Sequence, residues 1–329
     1  MKVVYFHWNK DNGPSIGRSF RPLIDKIKET ENVQEYYVPY KGASPLKILK
    51  NIRFVYKNRT KTGINHITGD IHYCILALIG CKSVLTIHDD YAMITATKGW
   101  LDRLYKWLFW FYLPIKIAKK VICISNSTKE TINKLVRNNK AEVIVNHSVN
   151  SGFSYSPKDF NEQCPIILQI GTNTQKNLET TIKAIHGMNC KLRVIKKMTE
   201  SQHQLAQSLN INYTNTYNLS DQEIVKEYIQ ADIIVFPSLF EGFGMPIIEG
   251  QATGRVVITT DASPMSDVAG NGALLLKNPL DAEEYKSTLL HIINNSDLRK
   301  ILINCGLENV AKYTVENAKK EYLNLYNKL

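Results

Sequence analysis

A chain of 329 residues is longer than one typical domain and suits two of roughly 150 residues each. Its apolar fraction of 44% and charged fraction of 22% exclude a disordered or fibrous chain, and no apolar stretch reaches the 18 or so residues that a membrane span needs. The formal net charge of +11 lies in one half: residues 1–150 carry 24 Lys and Arg against 11 Asp and Glu, residues 151–329 carry 17 against 19. The opening MKVVYFHWNK has too short an apolar run for a signal peptide and reads as a first strand. Strand candidates follow at Val3–Phe6, Tyr36–Val38, Ile64–Ile67, Ser83–Ile87, Lys120–Ile124 and Glu142–Val145, with helical stretches between them. That alternation predicts a parallel α/β sheet over residues 1–150.

Two stretches of the basic half carry more than sheet packing. Ser44 and Pro45 start a helix running to about Lys57. At about 100° per residue, Ile48, Leu49, Ile52, Val55 and Tyr56 share one face, while Lys47, Lys50, Arg53 and Lys57 lie opposite with Leu46 and Phe54 among them. A solvated face has little use for those two apolar side chains; a surface sinking into anionic lipid headgroups has. The stretch from Trp107 to Ile115 is apolar all round and too short to span a bilayer, so it is either buried between elements or partly in a membrane interface.

Residues 150–163 are polar and punctuated by Gly152 and Pro157, which makes them the predicted linker. A second alternation begins at Pro165: strand Ile166–Ile170, helix Asn177–His186, strand Leu192–Ile195, a helix near Ser201–Ser208, strand Ile233–Phe236, helix Pro246–Thr253 and strand Val256–Thr259. The division expected is 1–150, 151–312, and an amphipathic helix in 313–329 that carries Ala318, Tyr322, Leu323, Leu325 and Tyr326 among lysines and glutamates. The six cysteines show no C-x-x-C pair and no zinc spacing, and read as small buried hydrophobes of a reducing, cytoplasmic protein.

The motif that carries chemistry is PSLFEGFGMPIIEG, Pro237–Gly250. A buried strand ends at Pro237, Gly242 and Gly244 allow a tight loop, and Pro246 suits the first turn of a helix that holds Glu249. One carboxylate, Glu241, then lies on the loop and a second, Glu249, at a helix start. Both sit at the carboxyl edge of a sheet, where open α/β folds bind ligands. The plain structural reading is a capped helix whose acid complements the dipole.

This segment resembles the Glu-x7-Glu motif of the retaining glycosyltransferases of family 4, the "group 1" enzymes of GT-B fold. Three further segments match in order: Val84-Leu-Thr-Ile-His88-Asp89, Ile166–Gly171 with Thr172-Asn-Thr-Gln-Lys176, and the stretch from Tyr217 to Tyr228. The resemblance implies two doubly wound domains facing one cleft, with the last helix bracing the N-terminal one. It implies a nucleoside-diphosphate sugar as donor, a glycan or lipid-linked acceptor, and no metal or other cofactor. Surface polysaccharide synthesis at the inner face of the cell membrane is the setting it suggests, with the enzyme peripheral to an anionic bilayer.

By the same resemblance Lys176 neutralises the departing diphosphate, with Gly171 and Thr172 in the phosphate loop. Glu249 accepts hydrogen bonds from the ribose hydroxyls, and Glu241 sits by the donor sugar, where it orients hydroxyls or stabilises developing positive charge. The backbone N–H groups of Phe243, Gly244 and Met245 contact sugar or phosphate oxygens. His88 hydrogen-bonds the sugar or helps deprotonate the acceptor, with Asp89 and Asp90 on the acceptor side. The chain departs from the family where many relatives carry an arginine beside the lysine; Lys196 or Lys197 is the expected substitute. Asn12-Gly13 stands where the family has paired glycines, with Gly13 near the donor. Tyr213–Asn218 and Lys196–Ser201 are expected to form loops around the base.

A nicotinamide oxidoreductase is excluded by the lack of a G-x-G-x-x-G turn, and nucleic-acid binding by the lack of any recognised motif. A GT-B epimerase or phosphorylase, or a non-catalytic sugar-nucleotide-binding protein, are the alternatives. Epimerases lack this Glu-x7-Glu stretch, and a sensor has no need of His88.

Overall fold

The computed structural model describes residues 1–8, 15–42, 44–88, 99–137, 141–145, 148–150 and 152–329, and for 15–19 the backbone alone. The chain divides into two compact units, Met1–Ser148 with Thr314–Leu329, and Val149–Tyr313. Residues 152–163, taken from their composition as linker, therefore belong to the C-terminal unit. Asp232 ties them in: it pairs with Lys158 and accepts from the backbone N–H of Asn161 and Ile166 at 3.2 and 2.8 Å.

The N-terminal unit holds six parallel strands: β1 (Lys2–His7), β2 (Asn32–Tyr37), β3 (Ile64–Ile67), β4 (Lys82–Ile87), β5 (Lys120–Cys123) and β6 (Ala141–Val143). They lie in the order β2-β1-β3-β4-β5-β6. β1, β3, β4 and β5 are almost wholly buried, as expected of strands covered on both faces. The helix Val315–Asn327 belongs to this unit and buries Ala318, Tyr322, Leu325 and Tyr326 against Val3, Tyr5 and Phe20. A polar seam runs through that contact. Tyr326 Oη lies 2.9 Å from Tyr5 Oη and 2.7 Å from His66 Nδ1, and His66 Nε2 lies 2.8 Å from Thr86 Oγ1. Burial holds the imidazole of His66 neutral, its pKa pushed well below the usual value.

The helix Pro45–Asn58 turns a different face inward from the one its periodicity suggests. Ile48, Asn51 and Val55 are buried, Ile52 and Phe54 half-buried, and Leu49 and Tyr56 exposed, at 63% and 58%. The reason is Asn51, a polar residue that takes the centre of the buried arc. Its amide bonds the backbone of Tyr40 in both directions and the phenol of Tyr73. The outward arc thus carries Leu46, Leu49 and Tyr56 interleaved with Lys47, Lys50, Arg53 and Lys57. The aromatic run further on is core. Trp107–Tyr112 is a π-helical stretch in which Trp110 and Phe111 are buried, and the Trp107 and Trp110 indoles donate to the carbonyls of Leu135 and Asp70. The exposed apolar groups sit just before it, on the helix Trp100–Lys106, at Trp100, Leu101 and Leu104.

The C-terminal unit is a second parallel sheet of β7 (Ile166–Ile170), β8 (Lys191–Ile195), β9 (Tyr213–Thr216), β10 (Ile233–Phe236), β11 (Val256–Thr260) and β12 (Leu274–Leu276), ordered β12-β11-β10-β7-β8-β9. β9 occupies most of the stretch expected to be a base-contacting loop. Its polar sequence YTNT is tolerated because it is an edge strand, paired on one side with β8 only. β12 is a short apolar edge that had no counterpart among the expected strands.

Tyr326→Phe removes the hydroxyl shared by Tyr5 and His66 and leaves both buried groups short of a partner. The expected loss is about 1–3 kcal/mol, read as a lower urea midpoint with an unchanged m value.

Candidate active site

The site in the C-terminal unit is built at a reversal of strand order. β7 is the first strand in sequence and pairs with both β8 and β10. The chain leaves β7 towards one side and β10 towards the other, so the two loops diverge at the carboxyl edge, the place where doubly wound sheets bind ligands.

The loop after β7 is shaped around Lys176. Gly171 has φ +99°, and a Cβ there would lie 2.7 Å from Lys176 Cγ, so the glycine lets the lysine stem cross the loop. A 3-10 turn, Thr174–Lys176, is closed by Asn177 at φ 57°. The Asn177 amide donates to the carbonyls of Pro237 and Pro279 at 3.3 and 2.6 Å, and Leu239 N–H donates to Gln175 O at 2.8 Å. These bonds bring Lys176 to the motif loop. Its Nζ lies 2.5 Å from Glu241 Oε1 and 4.6 Å from the centre of the Phe236 ring. The lysine and the first motif carboxylate, expected at different parts of a donor, are an ion pair.

Glu249 lies elsewhere in the motif than its spacing implies. The helix is Met245–Ala252, so Glu249 falls one residue beyond the first turn. Its partner is a side chain, the Tyr228 hydroxyl, which donates to Oε2 at 2.6 Å. Although the residue as a whole is half-buried, its carboxyl is crowded by protein. Desolvation pushes its pKa up to about 7, against the Tyr228 hydrogen bond, which lowers it. Gly244, at φ +119°, caps this helix, and Phe243 is buried with its ring edge-on to Tyr313 at 5.7 Å. Gly242 and Met245 are half-buried beside them.

Thr172 Oγ1 donates to Lys197 O at 2.8 Å, and the Gln202 side chain donates to Thr172 O at 2.8 Å, which joins the phosphate loop to the end of β8. Both Lys196 and Lys197 are exposed there, and Lys196 holds φ +99°, a conformation that side-chain-bearing residues rarely adopt.

The N-terminal unit has a reversal of its own between β1 and β3. His7 ends β1 and His88 follows β4, and Thr68, just past β3, meets both. His7 Nδ1 lies 2.9 Å from Thr68 Oγ1, and His88 Nε2 donates to Thr68 O at 2.8 Å. Burial pushes the His88 pKa down to about 4. A neutral ring with its proton on Nε2 suits hydrogen bonding, and its pKa is poorly matched to accepting a proton at neutral pH. Glu35, 3.3 Å from His7 Nε2 and 2.5 Å from Lys28 Nζ, is held at a pKa of about 2 by those two partners against desolvation. Gly13, Asp89 and Asp90 lie outside the described residues.

Sequence reasoning missed His7, Phe236 and Tyr228 as site groups. Phe236 reads as the core end of a strand and Tyr228 as an aromatic on a helix's apolar face, while His7 reads as the first residue of the loop that carries Gly13, although it ends β1. Only the partner on the polar tip, unseen in sequence, marks two of them.

The raised pKa of Glu249 has a stability consequence. The carboxyl binds its proton more tightly folded than unfolded, so its cost is absent below about pH 4.5 and complete above about pH 7. Glu249→Gln is expected to stabilise the protein at pH 8 by about 1–2 kcal/mol, after allowance for its partial exposure, and to have no such effect at pH 4.5, as read by thermal unfolding at the two pH values.

Two family models match the chain: Glycosyltransferase Family 4 over residues 27–147, and Glycosyl transferases group 1 over residues 152–308. An uncharacterised glycosyltransferase of Methanocaldococcus jannaschii is 26% identical over 93% of this chain and 88% of its own length. An O-antigen chain mannosyltransferase of Salmonella typhimurium is 27% identical over 73% of this chain and 67% of its own. The crystal structure of Anabaena HepE in complex with UDP and glucose superimposes with a TM-score of 0.77 at 12% identity, over 100% of both chains, which establishes the GT-B fold. With one model on each unit and both units doubly wound, the chain belongs to the group 1, family 4 glycosyltransferases.

Proposed function

We propose that this glycosyltransferase moves a sugar from a nucleoside-diphosphate donor to a glycan or lipid-linked acceptor, with retention of configuration and without a metal ion. The observation that carries this reading is the Lys176–Glu241 pair at the strand-order reversal, 2.5 Å between charged atoms. On donor binding Lys176 exchanges the carboxylate for the β-phosphate, and Glu241 turns to the sugar. The bond from C1 to the phosphate oxygen breaks and the acceptor oxygen joins C1 on the same face. The acceptor's proton leaves on the departing phosphate. Lys176 and the N–H groups of Phe243, Gly244 and Met245 stabilise the charge that grows on that phosphate. Glu249 binds the ribose hydroxyls, as an ionised carboxylate can. His88 serves as a hydrogen-bonding group; its low pKa supports that role over the removal of the acceptor's proton. The Anabaena protein's UDP and glucose support a nucleotide-sugar donor, and the Salmonella relative supports a surface glycan as product.

Lys176→Ala is expected to lower kcat by roughly 10²–10³ with a smaller change in donor binding, and product NMR is expected to show the donor's anomeric configuration with turnover intact in excess chelator. A rate within a factor of two of wild type, an inverted product, or loss of turnover with chelator each overturns the corresponding part.

The N-terminal unit is proposed to sit on an anionic bilayer, peripheral at the inner face of the cell membrane. Among the described residues no helix is long and apolar enough to cross one. Support comes from the outward arc of Pro45–Asn58, where Leu46, Leu49 and Tyr56 alternate with four basic residues, and from exposed Trp100, Leu101 and Leu104. Each basic residue near such a surface contributes about 1 kcal/mol. Wild type is expected to sediment with phosphatidylserine vesicles at low salt and less at high salt, and a Lys47/Lys50/Arg53/Lys57→Glu variant to stay in solution. Equal partitioning of both, or none by wild type, refutes the membrane contact.

A further inference from the structure

The second motif carboxylate is not held by its own helix. Of its two oxygens, Oε2 takes the Tyr228 hydroxyl at 2.6 Å, and Oε1 has no protein partner among the described residues. Tyr228 itself has little freedom. Its side chain is fully buried, and its ring lies edge-on to Phe153 at 5.1 Å. Its backbone is pinned as well, because Arg255 closes the end of the helix Asp221–Gln230. The Arg255 Nε donates to Tyr228 O at 3.2 Å and one terminal nitrogen donates to Ile229 O at 2.9 Å and to Ser156 O at 2.7 Å. Arg255 is buried too, and among the described residues its hydrogen bonds all go to backbone carbonyls. A guanidinium clamp therefore fixes a helix end, the helix end fixes a phenol, and the phenol fixes one oxygen of Glu249.

We infer that Tyr228 is a positioning residue for donor binding: it anchors Oε2 of Glu249 so that Oε1 is presented to the ribose hydroxyls of the nucleotide. This rests on the assignment of Glu249 to the ribose. A bare core tyrosine needs some partner for its hydroxyl, and Glu249 could be only that. The two roles differ in how donor affinity depends on pH. A hydroxyl that donates to a carboxylate favours its ionised form, so removing it raises the carboxyl's pKa above its present value of about 7. Among the described residues the groups that act on the Glu249 carboxyl are the Tyr228 phenol and Asp221, both on the helix Asp221–Gln230. The helices Ser296–Val310 and Met265–Ala269 and the strands β10 and β11, which also pack on the Glu249 helix, contribute no charge to it.

The test is calorimetric titration of the whole chain with UDP and with GDP from pH 5.5 to 9, for wild type, Tyr228→Phe and Glu249→Gln, following whichever nucleotide wild type binds more tightly. Wild-type affinity is expected to fall on the acid side with a midpoint near 7. Tyr228→Phe is expected to weaken binding roughly tenfold at pH 7, to move that midpoint to higher pH, and to keep a several-fold deficit at pH 9, where the carboxylate is ionised but no longer anchored; full recovery at pH 9 would show that the phenol acts on charge alone and overturn the positioning role. Glu249→Gln is expected to bind weakly at every pH with no acid limb. If Glu249→Gln keeps wild-type affinity and profile, the ribose assignment fails and the inference with it. If Glu249→Gln removes the limb while Tyr228→Phe leaves it where it was, the positioning role alone is wrong. Should the phenylalanine variant not fold, Phe153→Leu, which loosens the ring from its edge contact, is expected to displace the midpoint in the same direction; an unmoved midpoint there also refutes the inference.

Discussion

Everything chemical in the C-terminal unit depends on β7 being hydrogen-bonded on both sides, to β8 on one flank and β10 on the other. A strand that comes first in sequence but lies third from one edge and fourth from the other forces the loops after it and after β10 to part. The bonds Leu239 N–H to Gln175 O and Asn177 to Pro237 O then lace the parted loops together at their base. Lys176 and Glu241 meet because of this lacing, not because either side chain is drawn to the other across open solvent. In water such a pair is worth little; on a fixed scaffold it marks a place where charge is concentrated before any ligand arrives.

Much of this was legible in the sequence. Buried parallel strands read as continuous apolar runs, and β1, β4 and β5 are of that kind, so they could be located to within a residue or two, whereas the partly exposed β2 begins four residues before its expected start. β9 could not, because YTNT has neither an apolar run nor strict alternation, and only its pairing to β8 makes it a strand. The Pro45–Asn58 helix was legible as a helix and misread as to face. Periodicity ranks residues by hydrophobicity, and a buried asparagine with three partners defeats that ranking. At the candidate site, residue types and order singled out Lys176, Glu241 and Glu249, while their partners are tertiary facts. Nothing in local spacing pairs positions 176 and 241, or 228 and 249.

The two motif carboxylates are held by opposite physics. Glu241 is met by a cation, which offsets the cost of partial burial. Glu249 is met by a neutral phenol and surrounded by protein, so its charge is maintained against the local dielectric, and near neutral pH its population is divided between two protonation states. Retaining an acid in such surroundings lowers stability, a pattern expected of functional groups rather than of packing.

The helix Val315–Asn327 completes the core of a unit whose other elements lie before residue 149. A ribosome makes the C-terminal unit as one uninterrupted segment, able to fold as soon as it emerges. The N-terminal unit is made earlier but cannot close until the helix that pairs Tyr326 with Tyr5 and His66 has been translated. Until then those buried polar groups lack partners and the apolar surface of Val3, Phe20 and Ile24 lies open. The order of synthesis and the order of maturation are therefore reversed in this protein. The basic half is the last to become native, which gives chaperones a longer interval on that half than on the other.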